Sequence, residues 1–181
     1  WQVGTVPPKA TTFKTTVQSE TQGNGYTTRV VAIDYGPQAD KTTTVTVTLT
    51  IPQGPGPFPV MIGGAAASVI RRGYIACSYT GSVDAPGEIA TLYPEHDFAS
   101  MGQVAFTLQT VVDHLLTVPQ VDKGRIAITG YSRAGKMALI AAALDERIAA
   151  VVAGKKAPDY GMEHDLTVQE VLLRASGMDK K

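Results

Sequence analysis

The feature that most constrains the fold is a serine between glycines, at the point where a β pattern becomes a helical one. The run "RIAITGYSRAGKMALIAAALD" begins at Arg125 with alternating β-branched residues, passes through Gly-Tyr-Ser-Arg-Ala-Gly and continues as an alanine-rich helical pattern. The central part is close to G-x-S-x-G, in which a tight strand-to-helix turn holds a serine above the edge of an α/β sheet. Ser132 is therefore a candidate nucleophile.

The two glycines around the serine, Gly130 and Gly135, are expected where neighbouring backbone passes too close for a Cβ atom. Free N–H groups at the start of the following helix favour negative charge, which a tetrahedral oxyanion would supply. The alternative interpretation makes Ser132 an ordinary helix N-cap, with glycines that serve only packing. The strand and helix predicted on either side of the serine are the context that a nucleophile requires.

Composition excludes several classes of function. The 181 residues predict one domain over 1–181. The charge balance is sixteen basic to sixteen acidic side chains without a long basic run, which argues against a nucleic-acid partner. No apolar stretch reaches the ~20 residues needed to span a membrane. The single cysteine, Cys77, excludes an intrachain disulfide, and its apolar surroundings predict a buried structural thiol.

Hydrophobic patterning divides the chain into a β-rich first part and an α/β second part. Period-2 alternation over the first fifty residues, clearest in "TTTVTVTLTI", predicts antiparallel strands. Beyond the loop "PQGPGPFP", strands are predicted at 59–62, 74–79, 125–130 and 147–154, with helices at 65–73, 101–118 and 133–145 and a long loop at 80–98. This order predicts a mostly parallel sheet covered by helices on both faces, with ligands at the carboxyl ends of its strands.

Beyond Gly154 no further strand is predicted. Residues 155–165 resemble a loop, and "LTVQEVLLRASGMDKK" predicts one short amphipathic helix. The sequence therefore predicts a sheet that lacks its last strands, either because segments are missing after 154 or because the C-terminus is unusual.

The motifs resemble those of a known family. The run "GYSRAGK", with "RRGYIACSY" before it and "LYPEHDF" ahead of the long helix, resembles the α/β-hydrolase-fold esterases. Among these the chain is most similar to the glucuronoyl esterases and their acetyl-xylan-esterase-like relatives, over about residues 27–153. The resemblance implies a secreted or periplasmic serine esterase that cleaves a carbohydrate-linked ester of plant cell-wall material. It implies no cofactor, and the oligomeric state stays open.

The resemblance also assigns roles by position. Ser132 would be the nucleophile, and Arg133 would stabilise the oxyanion through its backbone N–H and its guanidinium. Lys136 would contact sugar hydroxyls. A fixed cation beside a developing oxyanion contributes several kcal/mol, about 2.7–4 for one good donor. The alternative for both cations is a solvated helix start, although cations in a first helical turn oppose the helix dipole.

The base and the acid are harder to assign, because in this fold they follow the serine in the order acid, then histidine. His164 is the one histidine after Ser132, and Asp159 is the preferred acid because it precedes His164. Alternatively, the true acid and histidine lie outside this chain, or the chain is a catalytically silent scaffold or a binding module. A general acyl esterase or a peptidase of the same fold is the enzymatic alternative. His96 and His114 are weaker candidates for the base.

Neither a metal nor a phosphate site is predicted. Glu95, His96 and Asp97 are adjacent along the chain and are not joined by a second group of ligands at helical spacing. The glycines at 54, 56, 63 and 64 match neither of the glycine-rich phosphate-binding patterns.

Overall fold

The architecture is a seven-stranded mixed sheet with helices on both faces. A computed structural model describes residues 4–7, 9–64, 66–81, 87–97 and 99–154. Within these ranges no helix is long and apolar enough to cross a membrane. The strands are β1 (Thr12–Gln22), β2 (Tyr26–Gln38), β3 (Lys41–Pro52), β4 (Phe58–Ile62), β5 (Ile75–Gly81), β6 (Val121–Tyr131) and β7 (Ile148–Gly154). The helices are α1 (Ala66–Ile70), α2 (Gly87–Leu92), α3 (Ser100–Leu115) and α4 (Arg133–Leu144).

The first three strands form the antiparallel part of the sheet, as their alternating pattern predicts. β1 pairs with β2 and β2 with β3, both antiparallel. In β3 the apolar side chains all point to one face, where they are buried, and threonines occupy the other face. The buried members of this row are Val45, Val47, Leu49 and Ile51. The period-2 pattern therefore fixes which face of this strand enters the core.

The remaining strands form the parallel part, and their order creates the crevice in which a site is expected. The sheet runs β1-β2-β3-β5-β4-β6-β7, with β4 parallel to both β5 and β6, and β6 parallel to β7. The chain moves from β4 to β5 on one side and then crosses to β6 on the other side. Ligands in open α/β sheets bind at such a reversal, beyond the carboxyl ends of the strands. Here those ends belong to β4 and β6.

Helices cover the two faces of the sheet unequally. The larger core lies between the sheet and the helices α3 and α4, with Val60, Ile126 and Leu108 fully buried. A smaller cluster on the opposite face contains Met61, Ala76, Ala127 and Val69, the last of which belongs to the short α1. Coverage of both faces confirms the predicted α/β layering and explains why the parallel strands are continuous apolar runs.

Several elements differ from the sequence-based expectation: helix α1 covers 66–70 instead of 65–73, and strand β6 covers 121–131 instead of 125–130. The predicted loop at 80–98 contains the short helix α2, which is anchored by the fully buried Ile89. Six residues are too few to establish a helical period, so the pattern alone could not show it. Helix α3 ends at Leu115 instead of Val118, because the chain tightens into a turn in which the N–H of Thr117 bonds to the carbonyl of His114. The predicted helix after residue 165 lies outside the described residues.

An ion-pair cluster joins the N-terminal segment to the end of α4. The guanidinium of Arg147 donates from Nε and Nη2 to the two carboxylate oxygens of Asp145 at 2.7 and 2.6 Å, and from Nη1 to Asp113 at 2.5 Å. Lys9 reaches the same Asp113 oxygen at 2.9 Å. The side chain of Asp145 is only 3% exposed. The hydrogen bond to Asp145 is the main cause of the raised pKa of Arg147.

Candidate active site

Ser132 lies in the sharp turn between β6 and α4. Its φ of 54° and ψ of −116° make it the only non-glycine residue with positive φ in the described part of the chain. These angles are close to those of the first central residue of a type II′ turn, a position dominated by glycine. A serine held there stores conformational strain, which is typical of functional sites. The predicted strand–serine–helix turn is thus present with the dihedral angles of a nucleophile elbow.

The glycines around the turn permit close backbone contacts. A Cβ atom on Gly130 would lie 2.8 Å from the nitrogen of Gly135 and closer still to the carbonyl group of Ala134. A Cβ atom on Gly135 would lie 3.0 Å from the oxygen of Gly130 and 3.1 Å from that of Gly154. Both glycines are therefore required for close approach, as predicted. Ala134 occupies the position of the second glycine in G-x-S-x-G, and its exposed side chain fits there.

The hydroxyl of Ser132 is available for chemistry. The residue occupies the N-cap position of α4, yet its side chain makes no capping hydrogen bond and is exposed. Its backbone supports the turn instead: its N–H donates to the carbonyl of Gly154 at 2.8 Å, and its carbonyl accepts from the N–H of Lys136 at 3.2 Å. The capping hydrogen bond that would justify a serine here structurally is absent. The geometry therefore favours a nucleophile over an N-cap.

A glycine pair follows β4 and lies against β6, the strand that leads to Ser132. Gly63 has a φ of 80°, and a Cβ atom there would lie 2.5 Å from the carbonyl oxygen of Thr129 in β6. The N–H of Gly63 donates to Cys77, which fixes the loop against β5. In α/β-hydrolases an N–H from the equivalent loop joins the N–H after the nucleophile in the oxyanion hole. Gly64 follows Gly63 in this loop and has the same φ of 80°.

Sequence reasoning missed this contact between the loop after β4 and β6, because it considered Gly63 and Gly64 only as part of a possible phosphate-binding loop. The available signal was the position of a Gly-Gly pair directly after a buried strand. Its meaning depends on the pairing of Ile62 with Ile128, which sets the end of β4 beside the strand that carries the serine. That pairing follows from the strand order and cannot be read from the local pattern.

Arg133 and Lys136 both lie in the first turn of α4 and are exposed. The guanidinium of Arg133 donates from Nη2 to the hydroxyl of Ser100, at the start of α3, over 3.4 Å. The first turn of α4 contains no acidic residue that would offset these cations. The backbone N–H of Arg133 is one of the first four of the helix, which have no intrahelical acceptor. Oxyanion stabilisation by Arg133 and sugar contact by Lys136 stay predictions.

The predicted acid and base, Asp159 and His164, lie outside the described residues. Of the two other histidines, His96 is half-buried and packs edge-on against Tyr93, with ring centroids 6.3 Å apart. His114 is buried in α3, and neither of its ring nitrogens has a hydrogen-bond partner among the described residues. Burial, and secondarily the charge of Arg29, lowers the pKa of His114. The described structure does not bring either histidine into hydrogen-bond contact with Ser132.

The described ranges contain neither a reactive thiol nor a cluster of metal-binding side chains. Cys77 is free and buried, and burial raises the pKa of its thiol to about 12, which confirms the expected inert, structural thiol. Among the described residues, no group of three or more His, Cys, Asp or Glu side chains could hold a metal ion.

Comparison with known proteins identifies the family. The family model described as glucuronyl esterase, fungi, matches residues 35–158. The chain belongs to the glucuronyl esterase family. This is a family of carbohydrate esterases, and the matched range includes the nucleophile elbow and the Gly63–Gly64 loop. A 4-O-methyl-glucuronoyl methylesterase of Sodiomyces alcalophilus is 33% identical over 92 residues, which are 49% of this chain and 18% of the fungal protein.

Solved structures support the fold of this glucuronyl esterase family member. A glucuronoyl esterase from Solibacter usitatus matches 82% of the chain with a TM-score of 0.71 at 17% identity, covering 53% of its own length. One from Sporotrichum thermophile matches 82% with a TM-score of 0.62 at 23% identity, covering 42%. A putative acetyl xylan esterase from Bacteroides fragilis matches 80% with a TM-score of 0.57 at 17% identity, covering 48%. The chain thus spans about half the length of these solved relatives.

Proposed function

We propose that the protein is a serine carboxylester hydrolase that cleaves a glucuronoyl ester of plant cell-wall polysaccharide. The observation that carries the proposal is the strained, uncapped Ser132 at the carboxyl end of β6. Keeping a non-glycine residue at these angles costs about 1–3 kcal/mol. The hydroxyl of Ser132 does not offset this cost by capping α4. A role in chemistry explains why a serine is retained there.

The proposed reaction is acyl transfer through a covalent intermediate. The oxygen of Ser132 attacks the ester carbonyl, and a base takes its proton. The tetrahedral oxyanion is held by the N–H of Arg133 and a donor from the Gly63–Gly64 loop, and the Arg133 guanidinium adds a positive charge nearby. The alcohol leaves with the transferred proton. Water then attacks the acyl-enzyme, which releases the uronic acid and restores Ser132.

The role of Lys136 follows the family resemblance, whereas His164 and Asp159 are chosen because they follow Ser132 in the order acid, then histidine. Lys136 would bind hydroxyl groups of the sugar, and its exposure on the turn after Ser132 leaves its ammonium group accessible. His164 would serve as the base and Asp159 would orient it. Since the polymer that carries such esters lies outside the cell, we also propose that the enzyme is secreted or periplasmic. An acetyl ester is the nearest alternative substrate within the same chemistry.

A catalytically silent scaffold is the second candidate. It is favoured by one observation: no described residue forms a hydrogen bond with the hydroxyl of Ser132 that could activate it. A scaffold would keep the elbow and lack a working base. The two candidates therefore differ in turnover and not in fold.

The test is hydrolysis of a benzyl ester of glucuronic acid, compared with an acetylated xylose, by the wild type and by Ser132→Ala. The proposal predicts release of glucuronic acid by the wild type, faster than release of acetate, and loss of at least about a thousandfold in the variant. Faster release of acetate would replace the proposed substrate with the acetyl ester. The absence of turnover in a folded wild type would favour the scaffold.

A further inference from the structure

We infer that Ser100 is a positioning residue that holds the guanidinium of Arg133 beside the nucleophile. The positioning of Arg133 by Ser100 is inferred from the geometry of α3 and α4. Its effect on catalysis rests on the proposed function. The relevant contact is the hydrogen bond from Arg133 Nη2 to Ser100 Oγ, which joins residues 33 positions apart.

The two helices that carry these residues, α3 and α4, are joined by two hydrogen bonds. Their N-terminal ends meet at the contact between Ser100 and Arg133, and a second bond, from Gln109 Nε2 to the carbonyl of Leu144 at 3.0 Å, joins them further along. They therefore lie side by side in the same direction. Alanines 138 and 141 on α4 are fully buried, and such small side chains allow close approach of a neighbouring helix. The packing of α3 beside α4 therefore places the hydroxyl of Ser100 next to the first turn of α4.

Arg133 requires an anchor because its position does not otherwise restrain it. The side chain is exposed, and a long, flexible arginine loses appreciable conformational entropy when it is fixed. The first turn of a helix also disfavours a cation, so the local field pushes the guanidinium away from the elbow. Within the described residues, Ser100 is the one side chain that forms a hydrogen bond with this guanidinium.

Ser100 is free to perform this role. It follows Ala99, the N-cap of α3, which has no side chain able to cap the helix. In the described part of the chain the hydroxyl of Ser100 caps no helix end, and it accepts from Arg133 Nη2. Because a guanidinium has five donors, one bond to Ser100 leaves others for a substrate oxygen. Ser100 thus selects one orientation of the Arg133 guanidinium and leaves its other N–H donors available to the substrate.

A direct test of positioning measures the motion of the Arg133 side chain by ¹⁵N relaxation at Nε. The comparison uses wild type, Ser100→Ala and Ser100→Thr, with Ser19→Ala on the exposed edge strand as a matched control. We expect Nε to be more mobile in Ser100→Ala and restored in Ser100→Thr, whose hydroxyl is retained. Equal mobility in all four proteins would overturn the inference, whether or not the protein hydrolyses esters.

A kinetic cycle tests the consequence. With the ester of glucuronic acid, we expect Ser100→Ala to lower kcat about fivefold with little change in KM, as for loss of a contact that matters in the transition state. In an Arg133→Ala background the same change should have no further effect, because the two residues act as a unit. Additive losses would contradict the inference. Activity absent from the wild type would refute the proposed function alone, and the relaxation data would still decide the positioning.

Discussion

Replacement of Ser132 by glycine should stabilise the fold while it abolishes activity. The φ of 54° and ψ of −116° at Ser132 impose strain of about 1–3 kcal/mol on any residue with a Cβ atom, and glycine has no such strain. Glycine loses more conformational entropy on folding, which offsets about 0.5–1 kcal/mol. The net expectation is a gain of up to about 2.5 kcal/mol in the free energy of unfolding. For a chain of 181 residues this raises Tm by up to about 10 °C.

The assay is urea denaturation and calorimetry of the wild type, Ser132→Gly and Ser132→Ala. The alanine variant is the matched control, because it removes the hydroxyl and keeps the Cβ atom. Its stability should stay within about 0.5 kcal/mol of the wild type, since the hydroxyl makes no capping bond. The reasoning is refuted if alanine stabilises as much as glycine, or if glycine destabilises. Either result would mean that the backbone at Ser132 is not strained.

Three further changes test other parts of the structure. Gly63→Ala should cost about 2 kcal/mol or more in the free energy of unfolding, measured in urea, because its Cβ atom would lie 2.5 Å from the Thr129 oxygen. Asp145→Ala should cost about 1.5–3 kcal/mol in the same assay, because it removes two charge-assisted hydrogen bonds from Arg147, which keeps its bond to Asp113; an unchanged midpoint would contradict this. The pKa of His114 is lowered in the folded state, so below about pH 6.5 the unfolded state binds more protons than the folded state. The free energy of unfolding should therefore decrease towards acid pH, by at most about 1.4 kcal/mol per pH unit. His114→Leu should remove that part of the slope in denaturation at pH 7, 6 and 5, and a slope equal to that of the wild type would argue against it.

The sequence predicted the elements whose patterns are local. Alternating valine and threonine in β3 and the strand-to-helix change around Ser132 both depend on neighbours within a few residues, and both are confirmed. The two glycines at the elbow were likewise predicted from a motif with a physical reason. Patterns of this kind survive folding because burial of one face and close backbone approach are properties of the segment itself.

Features that depend on distant parts of the chain were not predictable. The role of Gly63 follows from the pairing of β4 with β6, which lie about sixty residues apart. The bond between Ser100 and Arg133 requires two helices to pack side by side. The short α2 escaped notice because its one fully buried side chain, Ile89, cannot define a period. Asp159 and His164 lie outside the described residues and stay predictions.

Covalent labelling tests most directly whether Ser132 is an activated nucleophile. The folded protein is treated with a fluorophosphonate probe and its intact mass is measured, with Ser132→Ala as the control. We expect the addition of one probe to the wild type, located on the peptide that contains Ser132, and none to the variant. A folded wild type that stays unlabelled, or labelling that persists in the variant, would mean that Ser132 is not an activated nucleophile.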